Sequence, residues 1–367
     1  MGTFSELVRL TQAVRSSEPI MNKKRRMWIN HVKFTELVCI GVLKFEKDIF
    51  SVTEATFEAM ALEVFRFQYQ HNTVYRQWCE ALKINQADIS SLHAIPFLPI
   101  ELFRHHQVVC GGVVEDTVCF TSSSTTSQTP SRHFVREVQL YEYSFMKAFE
   151  NVYGPLQERV ILALLPGYLE RQGSSLVYMF QHLINRAAAG SGFYLHNQED
   201  LINALEAFKA KGQKTLLIGV SYALMDLAES GVAPGANCVV METGGMKGKR
   251  KELLKSELHG YLKEKLQVKE IHSEYGMTEL LSQAYSTGDE LFDAPAWMKF
   301  LIREIDDPFS YKSDGRTGGV NVIDLANLYS CSFIATQDLG RLHGTRLELM
   351  GRFDESDIRG CNLLLEE

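Results

Sequence analysis

The sequence predicts an α/β fold: largely parallel sheets flanked by helices, with an antiparallel part toward the C-terminus. Three observations carry this. Between Val160 and Leu266, short apolar runs of strand length alternate with segments whose apolar residues recur at helical spacing, the pattern of strand–helix–strand units. After Trp297 that alternation stops and strand-like segments follow one another. A hydrophobic content of 45% over 367 residues is enough for one large core or two.

Taken in order, regular patterning begins near Thr53. Phe57, Met60, Ala61, Val64 and Phe65 lie on one helical face, and a second helix is expected over Val74 to Leu82. The prolines of Ile95 to Ile100 forbid a helix and predict an extended lead-in. Gly111-Gly112, between Val108-Val109 and Val113, suggests a hairpin. Expected strands are Val160 to Leu165, Thr215 to Val220 and Cys238 to Met241. Expected helices are Ser174 to Ala189, Leu201 to Ala210, Tyr222 to Glu229 and Lys249 to Leu266. Val268 to Ile271 reads as a buried strand, followed after a turn by a helix-compatible run containing Leu280 and Leu281. Val320 to Ile323, Ser332 to Ala335 and Arg346 to Leu349 suggest antiparallel strands.

The net charge of −7 with mixed signs points to no nucleic-acid surface and no basic membrane face. Seven cysteines, with no C-x-x-C pair, suit a reducing, cytoplasmic compartment with free thiols. No apolar run reaches transmembrane length. Lys23 to Arg26 before Phe34 to Leu43 imitates a signal peptide, but Glu36 interrupts it and no small-residue cleavage site follows. The first 45 residues read as an uninformative extension.

Several short stretches carry candidate chemistry. In His272-Ser-Glu-Tyr-Gly-Met-Thr-Glu279, Tyr275-Gly276 marks a turn at a strand end, where open α/β sheets place ligands. Glu279 offers a hard carboxylate for Mg²⁺, Thr278 a hydroxyl for phosphate, and Tyr275 an aromatic face for a purine. The bland alternative is an ordinary turn with a capping Thr and Glu. Seven of the eight residues from Thr121 to Gln128 carry hydroxyls. Such a loop after a short strand can wrap phosphates, or it can be a linker. Gly244-Gly245 follows the Cys238 strand and would let a flat ligand approach the backbone, or simply make a turn. Asp338 is a strand-end carboxylate able to accept two ribose hydroxyls, or a turn residue before Gly340. Gly219-Val-Ser221-Tyr-Ala223 departs from a hydrolase elbow at its last position and reads as a strand–helix turn with Ser221 as N-cap. Cys361 stands near the chain end, as a mobile thiol or a small buried hydrophobe.

The order of these motifs resembles the core of the adenylate-forming superfamily of acyl- and aryl-CoA ligases, luciferases and peptide-synthetase adenylation domains. Within it the chain is most similar to the acyl-protein synthetases of bacterial fatty-acid reductase systems, through its early stop and Arg359-Gly-Cys-Asn-Leu. The resemblance runs from about Thr53 to the C-terminus. It implies the large N-terminal domain of those enzymes without their mobile C-terminal domain. Residues 1–45 would then be an extension, 46–350 the core, and 351–367 a truncated hinge and tail, with Asp354 at the hinge.

The resemblance also implies roles. Ser122, Ser123, Ser124, Thr125 and Thr126 would hold ATP phosphates, and Gly244 and Gly245 would border the adenine near Tyr275 and Gly276. Thr278 would touch the α-phosphate, Glu279 would bind Mg²⁺, and Asp338 would take the ribose hydroxyls with Arg352 close by. Three departures stand out: serines replace the glycines of the phosphate loop, Pro130-Ser131-Arg132 replaces Pro-Lys, and the usual C-terminal lysine is missing. Arg132 and Arg352 are the candidates to replace that cation. The implied reaction is ATP-dependent activation of a fatty acid to acyl-AMP, then transfer to a cysteine, with Cys361 within reach on a tail of about 30 Å. The implied partner is an acyl-CoA reductase-like protein or an acyl carrier. The alternatives are a phenylacetate-type acyl-CoA ligase core working with a partner, and a degenerate nucleotide- or acyl-binding protein without turnover.

Overall fold

The computed structural model describes residues 45–122, 129–166, 173–194, 198–244 and 253–352. The chain divides into two compact units, Met1–Asp48 and Ile49–Glu367. The second holds every element from Glu54 onward.

Helix α1 (Glu54–His71) buries Phe57, Ala61, Val64, Phe65 and Gln68 along one face, and α2 (Thr73–Ala81) follows with Asn72 accepting from Tyr75 N–H as its N-cap. The extended lead-in becomes a two-residue strand, β1 (Leu98–Pro99), and then the short helix α3 (Leu102–His105). A hairpin comes next: β2 (Val118–Thr121) pairs antiparallel with β3 (Arg132–Val135), and most of the hydroxyl-rich stretch between them in sequence lies outside the described residues. After α4 (Val138–Tyr153), the alternating region gives β4 (Val160–Leu164), α5 (Ser175–Arg186), β5 (Gly192–Phe193), α6 (Gln198–Ala210), β6 (Thr215–Val220), α7 (Ser221–Ala228), β7 (Cys238–Thr243), α8 (Lys255–Leu266), β8 (Ile271–Tyr275) and β9 (Ala284–Ser286). The C-terminal part adds β10 (Leu291–Phe292), β11 (Met298–Arg303), β12 (Gly318–Asp324), β13 (Phe333–His343) and β14 (Arg346–Arg352).

Two six-stranded sheets result. One runs β5-β4-β6-β7-β8-β9 and is parallel up to β8, with β9 antiparallel. The other runs β10-β14-β13-β12-β11 and is antiparallel, with β1 joining β13 in parallel. Among the described residues parallel pairing is therefore limited to β4–β8 and the two-residue β1–β13 pair, and the expected dominance of parallel strands does not hold. The antiparallel sheet is as large because β13, at 11 residues, is long enough to pair with β12 and β14 and to take β1.

Four local expectations also give way. Around Gly111-Gly112 there is a turn and no hairpin, because Cys110 N–H bonds to Tyr329 O and Gly111 N–H to His71 O, both remote in sequence. Val268 is not strand: its N–H returns to Lys263 O after the left-handed Gln267 that ends α8, so β8 begins at Ile271. No helix follows Tyr275, since Leu281 and Ser282 give their N–H groups to Asp324 Oδ2. Ser221 is the first residue of α7, with Val220 at the N-cap. The expected helix start at Lys249 lies outside the described residues. Gly351 and Arg352 belong to β14 rather than to a tail.

Candidate active site

The strand ends of β7 and β8 lie side by side, with Thr243 level with Glu274. This puts Gly244 and the Tyr275-Gly276 turn at neighbouring positions. Gly244 has φ +69°, a backbone state that glycine reaches without strain, and its carbonyl accepts the Ser221 hydroxyl at 2.6 Å. Tyr275 is buried, its ring between Phe292 and Phe300 at 5.8 Å each. No aromatic face is left open; the side chain serves through its hydroxyl, which donates to Asp338 Oδ2 at 2.8 Å. Burial beside Asp338 pushes that phenol well above its usual range.

This bond joins the two sheets, because Asp338 lies on β13. Arg352 of β14 donates Nε–H to Asp338 Oδ1 at 2.9 Å from an exposed position. Asp338 is 3% exposed, and two of the four lone-pair directions of its carboxylate remain for a ligand.

The turn after Tyr275 is clamped from three sides. Asp324, at the end of β12, accepts from Leu281 N–H, Ser282 N–H and the Ser282 hydroxyl. Asn327 donates Nδ2–H to Glu279 O at 2.8 Å and to Cys331 O at 2.9 Å. His133 of β3 donates Nδ1–H to Thr278 O at 2.8 Å and places Nε2 3.0 Å from Asn327 Oδ1. Burial pushes that imidazole down to about 4, while both ring nitrogens face oxygens that only accept, an arrangement that favours the protonated ring. The Thr278 hydroxyl forms no hydrogen bond among the described residues.

Glu279 is 5% exposed. Burial pushes its carboxyl up, and hydrogen bonds from Ser131 and its own backbone, with the charges of Arg352 and Arg104, oppose this. Ser131 in turn closes the base of the hydroxyl-rich hairpin: its N–H reaches Ser122 Oγ at 2.9 Å, and Ser122 N–H reaches Ser131 O at 3.1 Å. Two hydrogen-bonded clusters therefore act on Glu279: Ser122 with Ser131, and Arg352 with Asp338 and Tyr275. Arg132 belongs to neither. Along β3 successive side chains alternate, so with His133 facing Thr278, Arg132 projects to the other side, exposed, 5.7 Å over Phe134. Ser123, Ser124, Thr125, Thr126, Gly245, Asp354 and Cys361 lie outside the described residues.

Glu279 fits a divalent cation of the Mg²⁺ kind. It is a buried carboxylate without an ion pair among the described residues, and Mg²⁺ is commonly held by one or two carboxylates plus substrate phosphates. No group of three or more His, Cys, Asp or Glu side chains forms a metal cage among the described residues.

Compared with known families, residues 47–367 match the family described as acyl-protein synthetase, LuxE. The chain belongs to that family. It is 32% identical over 74 residues to a long-chain-fatty-acid–luciferin-component ligase of Photorhabdus luminescens, a stretch covering 19% of this chain and 63% of that protein. Among solved structures it is similar to a 2-hydroxyisobutyryl-CoA ligase in the postadenylation state (TM-score 0.62, 12% identity, 84% of this chain and 70% of that one). It is also similar to ATP-bound MatB from Rhodopseudomonas palustris (TM-score 0.50, 14% identity, 64% and 47%). The chain thus spans about half of that last structure and under two thirds of the curated relative. At these identities the structural likeness establishes the fold, that of adenylate-forming enzymes. No helix among the described residues is long and apolar enough to cross a membrane.

Within this family member, sequence reasoning missed Ser131, His133, Asp324 and Asn327. A hint existed for one of them: a histidine directly before the apolar pair Phe134-Val135, just after the hydroxyl loop.

Proposed function

We propose that the protein activates a carboxylic acid with ATP and passes the acyl group to a cysteine thiol. The observation that carries this is the Tyr275–Asp338–Arg352 cluster joining the two sheets, with the buried Glu279 carboxylate, the Thr278 hydroxyl and the Ser122–Ser131 hairpin base as its companions: a ribose-type carboxylate, a metal-type carboxylate and phosphate-type donors. A carboxylate oxygen of the acid attacks the α-phosphorus. The bond from that phosphorus to the bridging oxygen breaks, and pyrophosphate leaves with the electron pair. Both reactants are anions, so they must be held in line and their charge screened. Asp338 takes the ribose hydroxyls and is itself held by Tyr275 and Arg352. Thr278 offers a free hydroxyl beside the phosphate, and Ser122 with the following hydroxyl segment offers further donors. Mg²⁺, when held by Glu279, supplies charge neutralisation at the phosphates.

In the second step a thiolate attacks the acyl carbonyl and AMP leaves; Cys361 is the proposed acceptor. The luciferin-component relative is named for a long-chain fatty acid, which makes such an acid the first substrate to try. A reductase or carrier protein is the proposed downstream partner, and the reducing cytoplasm the proposed setting.

The test is pyrophosphate release with a panel of fatty and aryl acids, followed by thioester labelling of wild type and Cys361→Ser. Release with long-chain acids and label lost in the variant is the expected result. Measurable ATP binding with no release for any acid would leave a nucleotide-binding protein instead. Equal labelling would remove Cys361 from the scheme.

A further inference from the structure

The reaction proposed above joins two anions, yet the cations at hand are mostly engaged. Arg352 is bound to Asp338 at 2.9 Å. Arg303 gives its guanidinium to Val320 O, Asn321 Oδ1 and Thr336 O. Lys255 is 3.1 Å from Glu242, Arg136 bonds to Cys110 O, and Arg132 projects to the far side of β3.

Arg104 differs. It lies on α3, a helix held between the two strands that build the site. On one side β1 leads into it, with Leu98 and Pro99 paired to Ile334 and Ala335 of β13, and Ile100 N–H bonded to Ala335 O at 3.1 Å. On the other side Phe103, fully buried, sets its ring edge against His133 at 5.6 Å, the residue that holds Thr278 O. The next side chain, Arg104, is half-buried and has no ion pair or side-chain hydrogen bond among the described residues. Its charge is near enough to oppose, weakly, the upward push that burial gives the Glu279 carboxyl.

We infer that Arg104 is a further catalytic residue: a guanidinium that contacts the nucleotide's phosphates beside Glu279. A half-buried arginine without a partner among the described residues, on a helix tied to β13 and to His133 of the hairpin, is a poor structural device, because its charge is partly desolvated with no local compensation. It is a good phosphate contact, because the planar fork matches phosphate oxygens and stays charged at every working pH. Arg104 would neutralise charge on the pyrophosphate as the bond to the α-phosphorus breaks.

The inference rests on the acyl-activation reading, and the experiment separates the two. Wild type, Arg104→Gln and Arg104→Lys are compared in steady-state pyrophosphate release with the best acid, with thermal midpoints and binding of AMP measured alongside. Arg104→Gln should lose on the order of 100- to 1,000-fold in kcat/KM for ATP, as for removal of one preorganised charge donor. Its thermal midpoint and AMP binding should stay near wild type. Arg104→Lys or added low-millimolar guanidinium should restore part of the rate. An active wild type with an equally active Arg104→Gln overturns this inference alone. So does a loss accompanied by an equal fall in thermal midpoint and no rescue. A wild type that releases no pyrophosphate with any acid overturns the activation reading and this inference with it.

Discussion

Glu274 shows what a single residue contributes beyond the site. It sits beside the Tyr275-Gly276 turn, accepts the Thr243 hydroxyl at 2.6 Å, and forms no ion pair among the described residues. Burial pushes its carboxyl up from 4.5 to about 7, against the Thr243 bond. A raised carboxyl pKa means the folded protein prefers the protonated form. That stabilisation is complete below the unfolded pKa near 4.5 and is lost as pH rises through about 7. Glu274→Gln keeps an acceptor for Thr243 and removes the titration. Wild type should therefore lose up to about 3 kcal/mol relative to the variant between about pH 5 and pH 8, read as a divergence of urea midpoints. Parallel pH profiles for the two proteins would refute it. Gly276 belongs to the same local arrangement: a Cβ there would run into Glu274 Oε1, so this turn tolerates glycine for lack of space rather than for backbone conformation.

At the level of elements, the segment from Asp324 to Ser332 joins β12 to β13 and ties α1 to the site. Gln68 of α1 donates to Asn327 O, Leu328 O and Ser332 Oγ at 2.9–3.0 Å, and its Oε1 accepts Ser332 N–H at 3.0 Å. Asn72 adds a bond to Ser330 O at 2.8 Å. Through Asn327 the same segment holds Glu279 O. Gln68→Leu would fill similar volume but strand the buried Ser332 N–H and take the amide donor from Leu328 O, at a cost of about 2–3 kcal/mol. Denaturant unfolding should show that loss, with pyrophosphate release falling as Asn327 shifts. An unchanged unfolding midpoint would mean that the segment is held by packing alone.

For the whole molecule, the proposed site means that a nucleotide at Asp338, Thr278 and Ser122 would touch both sheets and the hairpin together. Binding only the folded form, it should raise the stability of the whole second unit. At a hundred times its dissociation constant the gain is about 2.7 kcal/mol, seen as a rise in thermal midpoint with ATP. Asp338→Ala should abolish most of the rise while the unliganded protein still melts cooperatively. A full shift in the variant would place the nucleotide elsewhere.

The sequence by itself determined most elements, because their signals are local: the helical recurrence from Phe57 to Phe65, the apolar strands Val160 to Leu164 and Thr215 to Val220, and the turn after Tyr275. It also located Ser122, Tyr275, Glu279, Asp338 and Arg352 as candidates, through their order along the chain. Tertiary structure decided how strands pair and where side chains point. The run after Tyr275 looks helical by propensity, yet Asp324, more than 40 residues away, captures its N–H groups. Arg132 and Ser131 differ in direction only once the pairing of β3 fixes which face meets Glu279. His133 meets Thr278 across 145 residues. Periodicity reports a chain's own repeat within a few residues, whereas these contacts form only when distant strands close on one another, and nothing local to either partner records that.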